Sequence, residues 1–497
     1  MQTSQASGSS TAFVIFGVTG DLTQRKLIPA LYELTRTGRL PRPFYVIGFA
    51  RRDWDDAEMQ QKMQAAVEQF ARNQPVDVAV LQTLLESMHY VRSSFDDGTG
   101  YQSLCSLFAE LKVENRLYYL ATPPEAYPTI IERLGDAQLE QCTPGWTRVV
   151  IEKPYGINLA SAQALDQAVH GVFQEDQVYR IDHYLGKETV QNILVFRFAN
   201  GIFDPLWNRH YVDHIQITVS ETVCVGSRAG YYETAGVIRD IFQNHLLQLL
   251  TLTTMETPVA FNADAVRNEK VKVLQSLRPL NGQDVQNNTY RAQYVSGTID
   301  GKRLPGYKDE VGVNPDSTTE TYLAARLFVD NWRCAGVPIY IRSGKALPVR
   351  ATEIAIQFKQ VPLSLFNWRN LAGDAPNVLA ISIQPHEGIT LTFGAKAPGP
   401  INTIEPVSMN FDYVKTFAGE PPEAYERLIL DSLVGDATLF TRSDEVLAAW
   451  KYTTAILDGW AAQPVRHLPV YEAGTWGPPG ADDFIGREGR AWRLSGL

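Results

Sequence analysis

From Ala12 onward, hydrophobic and polar positions alternate between two rhythms. AFVIFG (12–17) is an unbroken β-branched and aromatic run closed by glycine, and DLTQRKLIPALYELTRTG (21–38) then mixes apolar and polar residues at helical spacing, with Gly38 as its stop. PFYVIGFA (43–50) is a second run of buried-strand type, so the first fifty residues read strand, helix, strand, a βαβ unit. The rhythm continues through a helix over about 56–74, the strand RLYYLA (116–121), a helix after Pro124 and the strand TRVVIE (147–152). A doubly wound parallel sheet follows for this part of the chain, to about residue 180.

The texture then changes. HIQITVS (214–220), VPIYIRS (337–343), TEIAIQF (352–358), NVLAISIQ (377–384), GITLTF (388–393) and PVSMNFDY (406–413) mostly alternate in polarity and are joined by short, turn-like connections, which predicts a large, mainly antiparallel sheet. Helical patterns interrupt it at about 236–254, at AYERLILDSLV (424–434) and at SDEVLAAWKYTTAILDGWA (443–461). The expected organisation is therefore a loose, Ser- and Thr-rich tail over 1–11, an α/β Rossmann-like domain over 12–181, and an α+β domain over 182–497.

Composition narrows the function. The 497 residues are 44% apolar and 20% charged, with 45 Lys and Arg against 55 Asp and Glu, so the chain can bury a large core and lacks the basic balance of a nucleic-acid binder. No apolar stretch is long enough for a membrane span and the N-terminus has no signal-like pattern. Cys105, Cys142, Cys224 and Cys334 are far apart with no C-x-x-C pair, which indicates neither zinc nor a disulfide framework and fits a reducing cytoplasm.

The chemistry concentrates at a few turns. Gly17-Val18-Thr19-Gly20-Asp21-Leu22 joins the first strand to its helix, where glycines let a backbone approach a pyrophosphate at the helix N-terminus. Thr19 and Leu22 stand where a full G-x-G-x-x-G would have glycine, so by pattern alone an ordinary tight turn remains open. The second strand ends GFARRD. Arg51 and Arg52 suit the 2′-phosphate of NADP, Asp53 keeps NAD open, and a solvated charge cluster is the plain alternative. Glu152-Lys153-Pro154-Tyr155-Gly156 follows another strand at the ligand-binding edge of the sheet, where a surface turn is an equal alternative. A helix from Tyr184 would bring His183 and Lys187, four residues apart, onto one face to converge on a phosphate, with Asp182 beside them. Glu221 continues the inward parity of Ile215, Ile217 and Val219, while Asp240 and His245 interrupt an apolar helix in which a core histidine is the plain reading. Lys345 and Arg350, taken singly, are turn and surface residues.

Together the GxxGDL turn, EKPYG, RIDHYLGKE, RDIFQNHLLQLL, PGY (305–307), TETY (319–322), DNWRCAGVPIYIRSGKAL and YERLILDSLVGDATLF resemble, in order and over nearly the whole chain, the segments of the glucose-6-phosphate dehydrogenase family. The resemblance implies oxidation of glucose 6-phosphate to 6-phosphogluconolactone with NADP, the first step of the oxidative pentose phosphate pathway, with no metal. It implies His245 as general base and Asp182 as its orienting carboxylate. His183, Tyr184 and Lys187 become the phosphate grip with Arg350 as helper. Glu221, Asp240 and Lys345 become sugar-hydroxyl ligands, and Lys26 and Lys153 face the cleft. Gly17, Thr19, Gly20, Asp21, Leu22, Arg51 and Lys153 would hold the coenzyme, and a homodimer or homotetramer is implied. Two rivals are a glucose-fructose-oxidoreductase-like sugar dehydrogenase, which leaves DHYLGKE unexplained, and a non-catalytic NADPH sensor, against which Asp182 and His245 stand.

Overall fold

The computed structural model describes residues 7–362, 377–399, 404–417 and 422–494, and the chain divides into two compact units. The first is formed by the chain up to Gly186 with Phe261–Arg267 and Pro422–Leu447, and the second by Lys187–Ala260, Asn268–Pro421 and Ala448–Leu497. The switch thus falls a few residues beyond the expected 181/182 boundary, and two later segments return to the first unit.

The first unit holds a six-stranded sheet of β1 (Ser7–Phe16), β2 (Arg42–Ala50), β3 (Met88–Arg92), β4 (Asn115–Leu120), β5 (Thr147–Ile151) and β6 (Val178–Arg180), in the order β3-β2-β1-β4-β5-β6. Every described ladder in it is parallel. Ala12–Phe16 are fully buried, as expected of a central parallel strand covered on both faces, and Phe16 packs on Phe49 with ring centroids 4.8 Å apart. The expected tail over 1–11 is corrected: β1 already starts at Ser7, and Ser10 accepts a hydrogen bond from the Glu114 N–H at 3.0 Å. Backbone pairing, for which serine is as good as valine, extends the strand beyond its apolar run. Met1–Ala6 lie outside the described residues.

The helix Ala424–Val434 belongs to this unit because polar anchors hold both its ends. Arg72 pairs with Glu426 at 3.2 Å in its first turn, and Arg148 donates to the Ser432 and Leu433 carbonyls at 2.9 and 2.7 Å in its last. Gly435, at φ 86°, then takes the left-handed position that ends the helix.

The second unit is built on β7 (Val212–Ser220), β8 (Thr289–Val295), a small hairpin of β9 (Gly297–Ile299) and β10 (Lys302–Leu304), β11 (Tyr322–Leu327), β12 (Ile339–Gly344), β13 (Ala351–Phe358), β14 (Val378–Gln384), β15 (Gly388–Lys396), β16 (Ile404–Asp412) and β17 (Val470–Glu472). Nine of these form one sheet, β16-β15-β14-β13-β7-β12-β11-β8-β17. Most neighbours run antiparallel, but β7 and β12 pair in parallel, as do β8 and β17. The helical segments Ile238–Leu246 and Leu247–Thr254 are continuous with each other, and the first lies against β7 and β12. All eight residues of Leu247–Thr254 are buried, so this is a core helix rather than an amphipathic one.

Candidate active site

In the first unit the GxxGDL turn sits at the carboxyl end of β1, between β2 and β4, where the strand order reverses direction. That is where open α/β sheets bind nucleotides. Gly17 has φ 83°, and a Cβ there would lie 2.4 Å from the Ala121 carbonyl oxygen, so only glycine lets the turn press against the end of β4. Its N–H donates to Phe49 and its carbonyl accepts from Gly20, each at 2.9 Å. Asp21 pairs with Arg25 at 2.6 Å on the surface, and Leu22 leads into Thr23–Leu27, wound as a π-helix. Lys26, in that segment, reaches Glu423 at 2.8 Å; both are well exposed, and such pairs contribute little, leaving the ammonium able to meet an anion. These features fit a dinucleotide.

At the end of β2, Arg51 and Arg52 are exposed, and Arg52 lies over the Trp54 ring at 5.7 Å. Asp53 forms an ion pair with Arg92 of β3. Both partners of that pair are exposed, so it leaves Asp53 as available as Arg51 to a ribose or its phosphate.

Glu152 directly follows β5 and is buried. Its carboxylate accepts from the hydroxyls of Tyr119 at 2.6 Å and Tyr425 at 3.2 Å, and its carbonyl from Tyr127 at 3.2 Å. Burial pushes its carboxyl up. Tyr127 thus holds the backbone next to Lys153, and Tyr119 and Tyr425 hold the carboxylate beside it.

The DHYLGKE segment departs from expectation. Tyr184 onward is a turn, and the helix begins only at Glu188, with Lys187 as an extended N-cap residue (φ −79°, ψ 136°). The helical i, i+4 argument for His183 and Lys187 therefore fails. Asp182, 2% exposed, instead closes the turn by accepting the Tyr184 N–H at 2.9 Å, and His183 lies ring to ring with Tyr184 at 5.2 Å. Gly186 is required because a Cβ would meet the Ala424 carbonyl at 2.8 Å.

In the second unit, the helix Glu188–Phe198 that Lys187 precedes is tied to the core helix. Arg197, fully buried, donates to the carbonyls of Leu252 and Met255, both at 2.8 Å. Lys345, in the turn after β12 and 1% exposed, has its ammonium 2.7 Å from Glu221 and 3.8 Å from Asp240, over the Tyr232 ring at 5.1 Å. Glu221 just past β7, Asp240 in the first turn of Ile238–Leu246 and Lys345 thus form one cluster, as parallel pairing of β7 with β12 brings their carboxyl ends together. Its alternating acceptors and donor suit a polyhydroxylated ligand. His245 lies later on the same π-wound segment and is 1% exposed. Arg350 is exposed just before β13.

A profile described as the glucose-6-phosphate dehydrogenase NAD binding domain matches residues 14–192, and one for the C-terminal domain of that enzyme matches residues 194–493. The chain belongs to the glucose-6-phosphate dehydrogenase family. It is 48% identical over 491 residues to the glucose-6-phosphate 1-dehydrogenase of Aggregatibacter actinomycetemcomitans, covering 97% of each chain. It is 43% identical to that of Bacillus subtilis, covering 96% of this chain and 97% of the relative. A solved glucose-6-phosphate dehydrogenase in complex with glucose 6-phosphate superposes with a TM-score of 0.89 at 36% identity, over 98% of this chain and 99% of the other. The enzyme from Mycobacterium avium gives 0.82 at 33%, over 98% of this chain and all of the other.

Reading the sequence missed Tyr232 under Lys345, the tyrosines on Glu152 and the Arg197 clamp. Tyr119 and Arg197 sit inside apolar runs, a signal of burial that names no partner, whereas Tyr127, Tyr232 and Tyr425 stand in mixed segments that carry no such signal.

Proposed function

We propose that the chain is an NADP-dependent glucose-6-phosphate 1-dehydrogenase that oxidises C1 of D-glucose 6-phosphate to 6-phospho-D-glucono-1,5-lactone, the entry reaction of the oxidative pentose phosphate pathway. The observation that carries this reading is the match to named glucose-6-phosphate 1-dehydrogenases over 97% of both chains. The Glu221–Lys345–Asp240 cluster supports it.

Bound NADP supplies the hydride acceptor. Gly17, Thr19, Gly20, Asp21 and Leu22 would hold its pyrophosphate, Arg51 its 2′-phosphate, and Lys153 the side turned to substrate. His183, Tyr184 and Lys187 grip the sugar phosphate with Arg350 as helper, Lys26 faces the substrate, and Glu221, Asp240 and Lys345 orient the hydroxyls. His245 takes the proton of the C1 hydroxyl while the C1–H electron pair departs as hydride and C1–O becomes a carbonyl. Asp182 orients the imidazole and stabilises its charged form. Burial of His245 and Asp182, at 1% and 2% exposure, supports these roles, since water would otherwise compete for the proton.

The enzyme works in the cytoplasm as a homodimer or homotetramer in this reading. Four unpaired cysteines support the first statement, and the edge strand β16, with Met409 at 63% and Val407 at 39% exposure, supports the second. Among the described residues no helix is long and apolar enough to cross a membrane.

Lys187→Ala tests the substrate. KM for glucose 6-phosphate should rise by roughly 1.5–3 kcal/mol, the worth of a hydrogen bond to a charged group, while the feeble use of glucose stays unchanged. Equal losses with both sugars would contradict the phosphate assignment.

A further inference from the structure

The segment TETY (319–322) lies between the site's two anchoring elements. Gly236, at φ 58° and ψ −179°, breaks the helix Ala229–Val237 just before its end, so the chain must start a new helix at Val237 and Ile238 with backbone N–H groups that lack acceptors within the helix. Glu320 receives both. Its carbonyl accepts from Val237 N–H at 3.0 Å and its carboxylate from Ile238 N–H at 3.3 Å. Gly236 is what lets the carboxylate in, because a Cβ there would lie 2.1 Å from Glu320 Oε1. Glu320 is 6% exposed, with Arg239 and Arg291 the charges that act on it, and burial pushes its carboxyl up.

The next residue serves the other element. The Thr321 carbonyl accepts from Lys345 N–H at 3.0 Å, and Tyr471 donates to the Lys345 carbonyl at 2.7 Å. Two successive residues therefore set the start of the segment that carries Asp240 and His245, and the backbone of Lys345.

We propose that Glu320 is a positioning residue of the reaction: by capping the helix that restarts after Gly236, it sets where Asp240 and His245 stand relative to Lys345. The proposal rests on the assignment of Asp240 to the sugar and of His245 to the C1 proton. A carboxylate at a helix N-terminus also answers the positive end of the helix dipole, so a cap is the arrangement's natural use. Asp240, two residues from the capped N–H, moves first when the cap is lost, and His245 moves with the same segment.

The test compares Glu320→Ala, Glu320→Asp and Glu320→Gln in the full chain by kcat, KM for glucose 6-phosphate, KM for NADP and thermal unfolding. Glu320→Ala should lose about 10-fold to 100-fold in kcat/KM for glucose 6-phosphate, the order carried by one buried hydrogen bond or by a small misplacement of reacting groups. KM for the sugar should rise and KM for NADP should stay within about twofold. Glu320→Gln keeps an oxygen of the same reach for Ile238 N–H and should restore activity to within a few-fold. Should Glu320→Ala not fold, Glu320→Asp carries the same expectation, since its shorter arm withdraws the acceptor. A merely structural role would lower the folded fraction and leave both KM values unchanged, and that result overturns the proposal. So does a Glu320→Gln variant as impaired as Glu320→Ala. Asp240→Asn and His245→Asn, run alongside, separate the two levels. If they lose activity while Glu320→Ala does not, the positioning role fails, and if they remain fully active the site assignment beneath it fails.

Discussion

Lys345→Met keeps the length and apolar stem of the side chain and removes only the ammonium. The structure predicts two separable effects. Lys345 and Asp240 are 1% and 5% exposed in their side chains, so Asp240 would lose the ammonium 3.8 Å away in a setting shut off from water, whereas Glu221, at 29%, keeps access to water. Breaking a fully buried pair costs about 3–5 kcal/mol, and an exposed one under about 1 kcal/mol. With the longer 3.8 Å contact on the buried side and the 2.7 Å contact on the wetter one, the expected loss is about 2–3 kcal/mol, between those limits. Urea unfolding at pH 7 reads it as a lower midpoint with an unchanged slope. Adding Glu221→Gln removes the carboxylate that lost its 2.7 Å partner and should return about 1 kcal/mol, a coupling that independent sites would not show. KM for glucose 6-phosphate should rise in Lys345→Met while KM for NADP does not. A destabilisation below about 0.5 kcal/mol with unaltered KM, the behaviour of an ordinary surface change, would refute the cluster as described.

Glu152→Gln tests the buried carboxyl at the end of β5. An acid whose folded pKa lies above its ordinary value of 4.5 stabilises the fold most below that value and loses this contribution as pH rises through the folded pKa, so the variant should show a flatter fall in urea midpoint above pH 4.5 than the parent. Parallel curves would mean that the hydroxyls of Tyr119 and Tyr425 compensate fully for burial. Arg51→Ala should raise KM for NADP and leave that for NAD nearly unchanged, with steady-state kinetics on one preparation as the control. An unaltered coenzyme preference would pass the 2′-phosphate to Arg52 or Thr19.

The parts of the fold set by local pattern were legible. The run AFVIF, the glycine turn and the alternation of strand and helix up to β5 follow from period and from the burial of both faces of a parallel sheet. Long-range decisions were not. Nothing in AYERLILDSLV says that it packs in the first unit, because its anchors Arg72 and Arg148 are hundreds of residues away. Likewise β7 and β12 look like any alternating strands, and only their parallel pairing brings Glu221 beside Lys345. The expected helix from Tyr184 failed because the Asp182 turn and the close packing of Gly186 on Ala424 override a spacing that suits a helix. Of the site, residue types were readable and mutual geometry was not: Glu320 was one letter in a motif, and its partner N–H groups are exposed only because Gly236 breaks a helix.

The central claim is that this chain oxidises C1 of glucose 6-phosphate with His245 as the base. Its most direct test is the initial rate of NADPH formation by the purified protein and by His245→Asn, each with glucose 6-phosphate and with glucose. The parent should reduce NADP readily with the phosphorylated sugar and feebly with glucose, and the variant should lose about 10²-fold to 10⁴-fold in kcat with KM for glucose 6-phosphate nearly kept. A variant that turns over as fast as the parent, or a parent equally active with unphosphorylated glucose, would contradict it.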